Sequence, residues 1–191
     1  MAIALRCRCN QVQGELTTAR TYVRATCYCK SCQAYARWLG TPGVMDEAGG
    51  TDVVAMAPSQ LRFTAGEEHI ACMSLSERGI CRWYAACCRT PLGNTARSSK
   101  VHYVGVPTAC LDNTGGAVDA AFGPEGRCVL NTESATAPVR ATPLAFVLGG
   151  LRIAMGILGA RLRRDRRSPF FDDAGRPIRA SQIVRSRASS A

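Results

Sequence analysis

Seven of the eleven cysteines in this chain fall at spacings that suit a metal ion. On a strand, residues two apart point to the same face, so both thiolates of Cys7-Arg-Cys9 can approach one ion. Cys27-Tyr-Cys29-Lys-Ser-Cys32 adds a same-face pair that leads into a C-x-x-C turn, the spacing of zinc knuckles. Cys87 and Cys88 follow much later. A closed structural zinc takes four protein ligands, whereas a site with three keeps a position open. Seven cysteines therefore suggest one site of each kind, and the count alone does not assign them. If Cys87 and Cys88 lie on a strand, their side chains point to opposite faces, which argues against both gripping one tetrahedral ion.

The chemistry available at an open site is activation of a thiol, because a coordinating thiol is deprotonated outright at neutral pH. A general base is not evident. His69 and His102 are the only histidines, and each reads as a structural or surface residue. Lys30 and Arg37 are candidates to meet a carboxylate on a small thiol. Cys72, Cys81, Cys110 and Cys128 read as buried thiols, since free cysteine is among the most buried residue types. Redox sensing by the C-x-x-C pair is a further reading. Charges at Arg6 and Arg8 leave no room for a signal-peptide core, so a reducing cytoplasmic setting is expected and disulfides are not.

Several elements must position these sulfurs. Gln11–Leu16 and Tyr22–Thr26 flank a polar turn and read as a hairpin, which would bring Cys9 opposite Cys27. Gln33–Leu39 reads as a short helix ended by Gly40 and Pro42. Short β-like runs follow at Thr51–Met56, Gln60–Thr64, Ile70–Leu75, Gly79–Tyr84 and Val101–Val106, so a mainly β domain is expected over residues 1–111. Residues 112–142 are rich in Gly, Ala, Thr and Pro and read as a loop-rich connector. From 143 to 167, Leu144, Leu148, Leu151, Met155, Leu158 and Leu162 recur as one apolar stripe, the signature of an amphipathic helix. Arg152 interrupts the uncharged run, so no transmembrane span is expected. Residues 168–191 read as a basic, weakly ordered tail, with Phe170-Phe171 as an anchor.

Charge is concentrated at that end. The chain has 24 Lys+Arg against 14 Asp+Glu, a net +10. From Leu151 onward ten arginines face only Asp165, Asp172 and Asp173, so +7 of the +10 lies there. Such a tail suits nucleic acid, an anionic surface or an acidic partner.

Cys7-Arg-Cys-Asn10, Cys27-Tyr-Cys-Lys-Ser-Cys32, the Gly49-Gly-Thr51 step and Cys88-Arg-Thr-Pro-Leu92 together resemble the GFA/CENP-V family. This is the glutathione-dependent formaldehyde-activating enzyme family, with an Mss4-like β-tent fold. The resemblance covers about residues 5–106 and marks a divergent branch. It implies one or two Zn²⁺ ions, with Cys7, Cys9 and Cys88 on a structural ion and Cys27, Cys29 and Cys32 on an open one. It also implies carbon–sulfur lyase or synthase chemistry on adducts of glutathione, or another small thiol, with an aldehyde. One departure stands out: Ala85 occupies the place of the first cysteine of the family's late pair. Cys87 is the expected substitute, while Cys81 could reach in, or the site could be three-coordinate or empty. The rival reading is a non-catalytic module, with structural zinc and a basic C-terminal helix and tail that bind a protein, nucleic acid or membrane surface.

Overall fold

The computed structural model describes residues 2–165 and 167–184. In chain order the elements are β1 (Ala2–Arg6), β2 (Gln13–Thr17), β3 (Thr21–Cys27), α1 (Lys30–Leu39), β4 (Thr51–Met56), β5 (Leu61–Ala65), β6 (Ile70–Ser74), β7 (Cys81–Ala85), β8 (Pro91–Thr95) and β9 (Val104–Pro107). After them come α2 (Ala117–Phe122), β10 (Val129–Leu130), α3 (Pro143–Leu162) and β11 (Ser181–Ile183). The protein is thus mainly β, with a long helix toward its C-terminus.

Two sheets share one core. The smaller has the order β1-β2-β5, and the larger β10-β3-β4-β9-β8-β7-β6-β11. Alternation explains the small sheet. In β1, Ile3 and Leu5 are buried while their neighbours are exposed, the pattern of a strand with one wet face. Those side chains meet Val54, Met56, Trp83, Leu92 and Val104 of the large sheet across the core. β8 is buried along its whole length, with Pro91 at its first position, where a missing N–H is tolerated. The large sheet is mixed, because β10 and β11 add parallel edges to β3 and β6.

The expected hairpin is not formed. β2 pairs with β1 and β5, and β3 pairs with β4 and β10. The turn near Thr18 carries the chain from one sheet to the other. The physical reason lies in burial: Tyr22 and Arg24 to Cys27 are all buried, so β3 needs partners and cover that a two-stranded ribbon cannot supply. Cys9 and Cys27 therefore do not face each other.

The stretches read as connector and tail also carry structure. A guanidinium, Arg24, holds α2 against β3, and β10 lies within the connector. Phe170 is fully buried and stacks on Trp83 with ring centroids 4.9 Å apart, so the Phe anchor reaches the core. Residues 185–191 of the tail, and Arg166, lie outside the described residues.

The largest correction concerns α3. The leucine stripe exists but points away from the protein: Leu144, Leu148, Leu151, Met155, Leu158 and Leu162 are all exposed. The docked face is made of Gly149, Ile153, Gly156, Ile157 and Ala160, against Tyr22 and Val23 of β3. A Cβ at Gly156 would sit 2.3 Å from the Tyr22 ring, so only glycine allows this approach. The helix is consequently apolar on both faces rather than amphipathic. It runs unbroken through Arg152 and is long and apolar enough to cross a membrane by length and composition alone.

Candidate metal centres

Four cysteines converge from two turns. β1 ends at Arg6, and Cys7 to Asn10 form a turn closed by Asn10 N–H donating to the Cys7 carbonyl at 2.9 Å, with Asn10 left-handed at φ 62°. After β7, residues 86–88 turn, closed by Arg89 N–H donating to the Ala85 carbonyl at 2.7 Å. Arg89 is left-handed at φ 56°. The sulfurs of Cys7, Cys9, Cys87 and Cys88 all lie within 4.8 Å of one another. Individual separations are 3.5 Å for Cys7–Cys9, 3.9 Å for Cys7–Cys87, 3.2 Å for Cys9–Cys87 and 3.9 Å for Cys87–Cys88. Four sulfurs about 2.3 Å from a tetrahedral zinc would be spaced about 3.8 Å apart. The donor set therefore fits such an ion.

Cys87 and Cys88 converge because they are not on a strand. Opposite-face alternation applies within β7, which stops at Ala85, and the turn beyond it aims both thiols one way. Ala85 is fully buried in the core, a packing residue that offers no ligand atom. Cys81 is buried elsewhere in the core and belongs to neither cluster.

The second cluster is Cys27, Cys29 and Cys32, again with all sulfurs within 4.8 Å of one another. Cys27 ends β3. Cys29 caps α1, its sulfur accepting from Cys32 N–H at 3.4 Å, so the helix starts at Lys30 rather than Gln33. A helix N-terminus favours negative charge, and an N-cap thiolate gains from it. The Gly49-Gly50 step makes room for this corner, because a Cβ on Gly50 would sit 2.7 Å from the Tyr28 ring. Tyr28 in turn donates its hydroxyl to Asp46 at 2.9 Å, and buried Gln33 donates to the Tyr28 carbonyl at 2.7 Å.

The proton distribution is uneven in both clusters. Burial works against ionisation of Cys88, but the Thr90 hydroxyl and the backbone of Cys9 and Thr90 hold its thiol down at about 6. Burial and the neighbouring sulfurs push Cys87 up. Hydrogen bonds from Cys27 and Cys32 hold Cys29 well below the usual thiol range, and those with Cys27 and Cys29 push Cys32 up. One proton-poor sulfur surrounded by S–H donors is an arrangement in which a cation can take the place of the shared protons.

Around the triplet stand residues whose contacts the cysteine spacing does not announce. Asn131, from the connector, donates to Cys27 Sγ at 3.4 Å. Ser31 Oγ lies 3.3 Å from Cys29 Sγ and accepts from Arg82 at 3.2 Å. Arg82 is itself 2% exposed, lies over the Tyr35 ring and bonds Asn94. A fixed guanidinium beside the triplet offsets part of the negative charge its sulfurs would carry on a metal. Of the earlier candidates, Lys30 is exposed in the first turn of α1, and Arg37 donates to Gln33 one turn on. His69 pairs loosely with Glu68, His102 is buried, and neither joins a cluster. Cys72, Cys81, Cys110 and Cys128 are buried, as expected.

Among known proteins, the model of DUF6151, described as a family of unknown function, matches residues 1–181. No curated protein matches. The crystal structure of a Rhodobacter sphaeroides protein, a Northeast Structural Genomics target, is 20% identical. That match covers 69% of this chain and 100% of the other, with a TM-score of 0.44, too low to carry an argument.

Proposed function

This chain belongs to DUF6151, a family whose function is unknown, and on that premise we propose an activity from its own sulfur atoms: zinc-assisted addition of a small thiol to an aldehyde, or the reverse lysis. The reading assigns Cys7, Cys9, Cys87 and Cys88 to a structural Zn²⁺ and Cys27, Cys29 and Cys32 to a second, open one. The observation that carries it is the asymmetry of the two clusters, four thiols against three at comparable spacing. The identity of the thiol, with glutathione the leading candidate, rests on the GFA/CENP-V resemblance of the cysteine motifs.

Cys27, Cys29 and Cys32 would hold the zinc, which would supply Lewis acidity that favours the thiolate form of a substrate thiol. The chain's residues do the rest. Cys29 is held as a thiolate by its neighbours and the helix start, and Asn131 and Ser31 orient the Cys27 and Cys29 sulfurs. Arg82 supplies a buried positive charge, and Lys30, exposed in the first turn of α1, is the residue this reading assigns to a substrate carboxylate. In the addition, the thiol sulfur forms a bond to the aldehyde carbon and the C=O π bond breaks. The thiol's proton ends on the aldehyde oxygen, giving a hydroxyalkyl thioether with no change of oxidation state.

Glutathione and formaldehyde are expected to disappear faster with the native protein than with Cys32→Ser, by at least about tenfold, with the four-cysteine site keeping its metal. Equal rates would remove the enzymatic reading. They would leave the non-catalytic module, which the exposed apolar face of α3 favours.

A further inference from the structure

The exposed side of α3 has no partner among the described residues, and its surroundings specify one. At about 100° per residue, Leu144, Val147, Leu148, Leu151, Met155, Leu158 and Leu162 fall on one side of the helix, opposite the face docked on β3. Arg152 and Arg163 fall on one border of that stripe and Arg161 on the other. All three are exposed. Beside the first border lies a cleft of about 680 Å³ between α3 and the turn before β3, lined by Arg20, Tyr22, Arg152, Met155, Gly156 and Arg163. Arg20 pairs with Asp165, while Arg152 and Arg163 form no ion pair among the described residues. Between Arg140 and Arg164 the sequence holds Arg140, Arg152, Arg161, Arg163 and Arg164 and no acidic residue.

We propose that α3 is a membrane-docking element that lies in the plane of an anionic bilayer, its leucine stripe among the acyl chains and its bordering arginines on lipid phosphates. An interfacial helix needs an apolar face to sink and cations at headgroup level to hold it. Here the protein itself supplies the polar side, because the opposite face of α3, from Gly149 to Ala160, is docked on β3. A second copy is a poor occupant, since a two-fold contact would bring the arginine borders together with no carboxylate on either helix to pair them. Nucleic acid would satisfy the arginines and leave seven apolar side chains in water. A spanning helix would have to leave β3 and uncover Tyr22 and Val23.

Co-sedimentation of the full chain with vesicles tests this. Vesicles of phosphatidylcholine with roughly a third phosphatidylglycerol should bind the protein about tenfold more tightly than pure phosphatidylcholine, and added salt should weaken the difference. Leu151→Asp/Leu158→Asp should cut binding by at least about tenfold. Arg152→Glu/Arg163→Glu should abolish the preference for the anionic lipid. These positions are exposed, so metal content and thermal midpoint should not move in either variant, which separates lost docking from lost folding. Several results would overturn the proposal: no binding to either vesicle, equal binding to both, or binding unchanged in the leucine variant. So would a lipid-free dimer that the leucine variant converts to monomer, or vesicle attachment that survives alkaline carbonate extraction.

Discussion

Cys7→Ser is expected to cost the protein one metal ion and to lower its thermal midpoint by roughly 8–16 °C. Cys7 is 3% exposed and sits between two structures at once. Its sulfur is within 3.9 Å of Cys87 and accepts the Val12 backbone N–H at 3.2 Å, so it ties the turn after β1 to the turn after β7. Loss of a structural metal belongs to the small class of changes that exceed about 4 kcal/mol. For a chain of this size each kcal/mol moves the midpoint about 2–4 °C. Serine keeps the shape of the side chain but is a poor zinc ligand, so the effect isolates the metal from packing. Differential scanning calorimetry with and without chelator checks it. Stripped of metal, native protein should fall at least to the variant's midpoint. A variant with the native midpoint and native metal content would show that Cys7 holds nothing.

Arg24→Ala should destabilise the fold by about 3–5 kcal/mol, the usual result of stripping one partner from a buried ion pair. Arg24 is a buried cation in the middle of β3. Its Nε donates to Asp52 at 2.9 Å, and one terminal nitrogen donates to both Asp119 and the Gly123 carbonyl at 2.5 Å. Without the guanidinium, the Asp52 carboxylate would be left buried, with one of its oxygens already lacking a partner. Helix α2 would lose its fastening to β3. Urea denaturation reads the cost directly. The companion change Arg24→Met/Asp52→Asn removes both charges, and it should recover a large part of the loss. A cost under about 1 kcal/mol for Arg24→Ala would mean that the pair does not hold α2 in place.

The sequence made the cysteine clusters legible and left their architecture hidden, for identifiable reasons. Spacing alone marked Cys27, Cys29 and Cys32, because a C-x-C-x-x-C run converges through its own local turn. The four-cysteine cluster was harder. Cys87 and Cys88 looked incompatible on the assumption of a strand, and where β7 stops depends on Ala85 packing into the core rather than on any local signal. The false hairpin has the same origin. A polar turn between two β-like runs says that the chain reverses, and says nothing of which sheet each run joins. In α3, periodicity identified the leucine stripe but not its direction. The side that docks is the one with glycines, since Gly156 must lie against the Tyr22 ring. Asn131 and Arg82 lie outside the cysteine motifs, and Ser31 and Thr90 lie inside them with no role that spacing encodes, because each is brought to its cluster by the fold or by loop geometry.

The most direct test of the account is the mass of the intact folded protein, purified without chelator and measured under native conditions. Two zinc ions per chain are expected, falling to one in Cys29→Ser, where the four-cysteine site persists, and to one in Cys88→Ser, where the triplet persists. A native chain that carries no metal, and whose stability does not change when zinc is supplied or withdrawn, would contradict it.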